Sequence, residues 1–131
     1  MITDLKMLAF TAALTAVFWL PYILAHIKNV GFGPALTYKA DATPLPPWAA
    51  RAKKAHYNAV ENLVPFAALV IVAHLIEATN DMIVMATIVY FWARVAHYVL
   101  YTAGVPFGRT LAFAVSWAAM AVIFVGIVGT I

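Results

Sequence analysis

Four long apolar runs dominate the chain, at about residues 5–27, 48–77, 82–103 and 107–131, with short polar breaks between them. A helix needs roughly 20 mostly apolar residues to cross a ~30 Å hydrocarbon layer, so each run predicts a spanning helix. Pro21 interrupts the first run in its second half, and the second stays polar to Asn62 before turning apolar from Leu63 to Ile76. The first run is too long for the apolar part of a cleaved signal peptide and opens with Asp4 and Lys6 rather than a basic cluster, which predicts a retained helix. Asn80 and Asp81 predict a tight turn with a cap for the next helix. Gly104, Pro106 and Gly108 predict a second short turn. Residues 28–47 hold Gly31, Gly33, Pro34, Pro44, Pro46 and Pro47, which deny a continuous helix and predict a loop outside the hydrocarbon. The expected fold is all-α: a polytopic four-helix membrane bundle forming one domain over residues 1–131.

Composition agrees with lipid as the solvent. Of the 131 residues 66% are hydrophobic and 10% charged, with a mean hydropathy of +0.93, whereas soluble domains carry about 25% charged residues. A soluble fold this small has too much surface for its volume to hide so much apolar area. A secreted module, a nucleic-acid reader and an ordinary cytosolic enzyme are thereby excluded, and no nucleic-acid partner is expected. There is no cysteine, so any sulfur chemistry requires a bound small molecule to bring the sulfur. Lys28, Lys39, Arg51, Lys53 and Lys54 surround the first loop, while the second carries Glu77 and Asp81 with no Lys or Arg. The positive-inside tendency then predicts cytoplasmic first and third loops with both termini on the opposite side, Lys6 being the one dissenting charge. The expected setting is a bacterial inner membrane.

Charged groups near a bilayer centre cost about 2.5–3.5 kcal/mol each on insertion scales, so those inside the spans call for a reason. The second run holds Arg51, Lys53, Lys54, His56, Asn58, Glu61 and Asn62; the third holds Arg94, His97, Tyr98 and Tyr101. At helical spacing Arg51, Lys54, Asn58, Glu61 and Pro65 share one face, and Tyr90, Arg94, His97, Tyr98 and Tyr101 share another. The two helices run antiparallel, so both clusters should meet in one leaflet, with Arg109 arriving at the same level. Pro65 leaves the Glu61 carbonyl without its helical partner and predicts a kink there. The result is a cationic recess lined by amides and phenols, with Glu61 as its main carboxylate. Arginine grips carboxylates through paired hydrogen bonds, and a positive field lowers the pKa of a thiol. An anionic, amine- and thiol-bearing peptide meets these demands. Glutathione is one such molecule, although this chemistry alone does not single it out.

The same residues carry a family resemblance. Arg51–Phe66 reads RAKKAHYNAVENLVPF and resembles the signature of the MAPEG family, the membrane-associated proteins in eicosanoid and glutathione metabolism. Ala93–Arg109, ARVAHYVLYTAGVPFGR, is similar to the family's third-helix segment and the loop arginine after it. The resemblance implies a homotrimer with glutathione as bound co-substrate between neighbouring subunits. It further implies glutathione transferase activity, with peroxidase activity as a variant, on hydrophobic small molecules drawn from the membrane lipid. By resemblance Lys53 or Lys54, His56, Asn58 and Glu61 belong to the glutathione site, which Arg94 and Tyr101 complete; His97 and Tyr98, on the same face of the third helix, are expected to bind it as well. Arg109 resembles the arginine that stabilises the thiolate, and Tyr101 is the alternative thiol partner. Two features depart from the family pattern: lysines precede His56, and only His26 and Lys28 stand where an arginine often ends the first helix.

Other readings apply to several of these positions. Lys53, Lys54 and Arg51 also suit anchoring at the headgroups. His74 suits an interfacial or hydrogen-bonded role, Trp19, Trp48, Trp92 and Trp117 suit belts or packing, and Ala112, Ser116, Ala119 and Gly126 suit close helix packing. Two further function classes follow: a non-catalytic membrane subunit or scaffold, and a haem or transport protein using His56 and His97. No metal site is nominated.

Overall fold

A computed structural model describes residues 2–131, which form helices α1 Thr3–Val17, α2 Leu20–Val30, α3 Phe32–Ala35, α4 Pro47–Leu75, α5 Asp81–Ala103 and α6 Pro106–Val128. Four stretches are long and apolar enough to span a membrane: Thr3–Val30, Pro47–Leu75, Asp81–Ala103 and Pro106–Val128. The first of these is two helices, α1 and α2, joined at Phe18–Trp19. A proline ring clashes with the carbonyl four residues back, here Val17, so Pro21 ends α1 at that residue. Tyr98 of α5 occupies the break. Its hydroxyl donates to the Phe18 carbonyl at 3.0 Å, and its ring stacks on Phe18 with centroids 3.9 Å apart. Pro65, by contrast, lies inside α4, which stays helical from Pro47 to Leu75.

The first loop is built from short turns. Beyond α2 the chain makes α3 and a single 3₁₀ turn, Tyr38–Ala40, before Pro46 and Pro47 open α4. The N-terminal half of α4 buries Ala49, Ala52, Ala55 and Ala59, a stripe of methyl groups that lets α2 and α5 approach closely. Its C-terminal half packs Phe66 against Tyr90 of α5, rings 3.7 Å apart and nearly parallel. Val70, Ile83 and Ile123 complete this fully buried core. α5 and α6 pack closely through the small residues Ala112, Ser116 and Ala119, all buried, and through Gly126. A Cβ at Gly126 would lie 2.8 Å from Ile83 Cδ1.

The two ends of the bundle are tied differently. At one end Asp4, fully buried, accepts from Thr79 Oγ1 at 3.2 Å and shares a hydrogen bond with His74 Nδ1 at 3.1 Å. Asn80 Oδ1 caps α5 by accepting from the Ile83 N–H at 2.9 Å. At the other end Gly104 closes α5 in the left-handed conformation, φ 80°, and Pro106 opens α6 at once. Trp19, Trp48, Trp92 and Trp117 are exposed on the outside of the bundle.

The break in the first span yields a stability prediction. Tyr98→Phe keeps the stacked ring and loses only the hydroxyl, so unfolding in detergent should show a loss of about 0.5–1.5 kcal/mol. Tyr98→Ala should cost about 3–5 kcal/mol, the range for removing a packed aromatic ring. Equal losses for the two variants would mean that the hydroxyl carries the whole contact.

Candidate functional site

The polar groups of α4, α5 and α6 converge on one buried guanidinium. Arg94 is 2% exposed, with Ala93 and His97 buried beside it on α5. Its Nη2 donates to Asn58 Oδ1 of α4 at 2.6 Å and lies 3.3 Å from His97 Nδ1. Its Nη1 donates to Ser116 Oγ of α6 at 3.4 Å, and Ser116 in turn donates to the Phe113 carbonyl at 2.8 Å. Asn62 donates to the Asn58 carbonyl at 2.8 Å, one turn back along α4. Three helices are thus joined by charge-assisted hydrogen bonds, the strong class in a low-dielectric interior. Arg94 has no carboxylate partner; among the described residues the one ion pair is His74 with Asp4, at the opposite end.

A recess of about 330 Å³ opens beside this network, lined by Asn58, His97, Tyr101, Arg109, Thr110 and Phe113. Arg109 lies over the face of Tyr101, Cζ 4.3 Å from the ring centroid, a cation–π contact that holds the guanidinium without neutralising it. His97 packs edge-on to Tyr101, centroids 5.5 Å apart. The wall therefore offers a free guanidinium, a phenol, an imidazole and an amide, on a background of unpaired positive charge. Such a surface favours anions and the ionised form of a thiol placed against it.

The residues expected at the site divide into two groups. Asn58, Arg94, His97, Tyr101 and Arg109 come together. Tyr98 lies elsewhere, its hydroxyl engaged by the Phe18 carbonyl. His56 shares a 2.8 Å hydrogen bond with Tyr22 of α2, so it and His97 have different neighbours and do not pair. Lys53 lies 5.7 Å from the centre of the Tyr57 ring and borders a hollow formed with α2 and the first loop. Lys54 and Glu61 are exposed on the outer surface of α4, and Glu61 is absent from the recess lining. The recess of a single chain accordingly lacks the carboxylate expected as its main one. Pro65 lines a separate apolar groove of about 460 Å³ with Asn62, Leu69, Trp117, Met120, Ala121 and Phe124.

Three wall or anchor residues went unpredicted: Thr110, Phe113 and Ser116, all on α6. Their signal is the spacing, since Arg109, Phe113 and Ser116 recur at i, i+4 and i+7 and share a helix face. Ser116 in an otherwise apolar span was the marker. Tyr22 was also missed; its signal was a polar tip within an apolar turn.

The Arg94 network makes a stability prediction. Asn58→Leu keeps the volume and strips a buried guanidinium of its shortest hydrogen bond, so unfolding in detergent should reveal a loss of about 1.5–3 kcal/mol. A change of a few tenths would show that water or another group takes over from Asn58.

Comparison with known protein families matches residues 7–129 to the MAPEG family. Searches of curated proteins and of solved structures return no match. The family match spans all four apolar helices, the Arg94 network and the Arg109–Tyr101 wall: the chain is an integral, multi-pass membrane protein and belongs to the MAPEG family.

Proposed function

We propose that the protein is a membrane-bound glutathione transferase, which conjugates or reduces hydrophobic electrophiles reaching it from the bilayer. The observation that carries this reading is the Arg109 guanidinium, stacked on Tyr101 at the edge of the recess with no carboxylate in ion-pair distance among the described residues. In this reading Arg109 faces the sulfur and stabilises the thiolate, while the Tyr101 hydroxyl donates a hydrogen bond to it. Asn58, His97 and the field of Arg94 orient the peptide. The thiolate attacks the electrophilic carbon, forming the C–S bond as the leaving group departs or the electron pair moves onto the acceptor. In the peroxidase variant it attacks the hydroperoxide's terminal oxygen, the O–O bond breaks and the alcohol leaves, and the thiol of a second glutathione then displaces water from the resulting sulfenic acid to form the disulfide. Membership of a family of glutathione and eicosanoid metabolism supports the choice of thiol.

Lys54 and Glu61 support a further element, assembly as a homotrimer. An exposed carboxylate within a spanning helix is costly against lipid. A neighbouring subunit packed on this face of α4 would bring Lys54 and Glu61 to a recess on the adjoining chain, supplying a carboxylate for the ligand's ammonium group. The second reading is a non-catalytic MAPEG-fold subunit, favoured by the lysines in place of arginine before His56, which bind carboxylates as point charges without a paired grip.

Calorimetric titration of detergent-purified protein with glutathione and S-hexylglutathione tests the ligand. Saturable binding of both is expected, and binding of neither at millimolar concentration would leave the subunit reading. For the mechanism, Arg109→Ala should lower kcat by roughly 10²–10³, the usual loss for one donor to a developing anion, with a smaller change in KM. Equal losses in kcat and binding would reduce Arg109 to an anchor.

A further inference from the structure

A second recess shares Tyr101 and Arg109 with the first and lies at the turn between α5 and α6. It measures about 220 Å³ and is lined by Arg51, Tyr101, Gly104, Pro106 and Arg109. Arg51 reaches it from α4 by donating its Nε to the Thr102 carbonyl at 3.0 Å, one of the carbonyls left free at the end of α5. That bond uses the inner edge of the guanidinium and leaves the Nη groups for another partner. Gly104 makes the approach possible: a Cβ there would stand 3.3 Å from Arg51 Cζ and Nε. Two half-buried arginines therefore border one small hollow, and neither has a carboxylate within ion-pair distance among the described residues. The start of α6 adds to the field, since Val105 provides no side-chain cap for the first-turn N–H groups.

We propose that this recess binds a phosphate group, as part of an anionic lipid headgroup or as the free ion. The turn joins two spanning helices, so it lies at headgroup depth whichever face of the membrane it occupies. Planar guanidinium groups bind phosphate oxygens through paired hydrogen bonds. Basic pockets between spanning helices suit anionic headgroups in particular. The wall holds no acid to select the ammonium of a zwitterionic lipid, so net-negative headgroups are preferred. Arg109 belongs to both recesses, so a phosphate here would engage the same guanidinium that stacks on Tyr101.

The test uses the full chain purified in detergent with no glutathione present, so its outcome does not depend on the transferase reading. Native mass spectra and thermal unfolding are recorded with phosphatidylglycerol, with phosphatidylcholine and with inorganic phosphate. Phosphatidylglycerol should be retained and should raise Tm where phosphatidylcholine does neither. Arg51→Gln should weaken that binding about fivefold, the weight of one basic side chain at an anionic surface. If inorganic phosphate gives a saturable Tm rise with the same dependence on Arg51, the free ion is also a ligand. Arg109→Gln leaves the Arg51–Thr102 bond in place and should weaken binding similarly, which preserves the test if Arg51→Gln does not fold. Equal retention of the two lipids by wild type and variants, with no response to inorganic phosphate, overturns the site.

Discussion

A single buried cation organises this molecule. Arg94 lies in the middle of α5 and is buried within the bundle. Among the described residues no carboxylate offsets it; an amide, a hydroxyl and an imidazole from α4, α6 and its own helix meet its two Nη groups, and its Nε is left without a partner. Taking a charge out of water is costly, and neutral partners recover that cost only when their geometry is held. The helices are held accordingly, by the alanine stripe of α4, the Phe66–Tyr90 stack and the close α5–α6 contact at Gly126. Since neutral ligands leave the positive charge in place, its field extends into the recess beside it. A carboxylate at Asn58 would stabilise the fold as well and would cancel the property on which an anionic ligand depends.

The remaining parts place Arg109 within that field. Gly104 turns the chain between α5 and α6 in a conformation that side chains resist, and Pro106 starts α6 without delay. Arg109 then falls within the first turn of α6, over the Tyr101 ring. Arg51, bonded to the end of α5, braces the turn from the α4 side. At the opposite end the acid–histidine contact of Asp4 and His74, with Thr79, joins α1 to α4 and the turn after it. That end pairs an acid with a histidine through one carboxylate oxygen of Asp4, Oδ2, and the Arg109 end carries cations left open.

What could be read from the sequence followed from constraints that act locally. Lipid demands long apolar runs, so the four spans were legible from length and hydropathy alone. The Asn80 cap and the Gly104–Pro106 turn were legible because each residue type answers a backbone requirement at its own position. Helical periodicity and antiparallel order brought Asn58 and Arg94 to facing positions, and the structure joins them. The rest depended on tertiary partners. Tyr98 shares a face with Arg94 by periodicity, yet the break at Phe18 in a distant span engages its hydroxyl. His56 is likewise held by Tyr22. Glu61 shares a helix face with Asn58 by periodicity, one turn further along, yet Asn58 reaches Arg94 while Glu61 is left exposed on the outer surface. Phe113 and Ser116 share a helix face with Arg109, but a phenylalanine and a small serine at that spacing suit helix packing equally, so only the contact with Arg94 and the recess separates the two roles.

In the proposed function the cationic wall of Arg109, with Arg94 in the network beside it, holds a thiol in its ionised form. The most direct measurement is the ultraviolet difference spectrum on mixing purified protein with glutathione at neutral pH. A thiolate absorbance band that saturates with glutathione, and that is lost in Arg109→Ala while glutathione still binds, is the predicted result. Saturable glutathione binding with no thiolate band in the wild-type protein would contradict it.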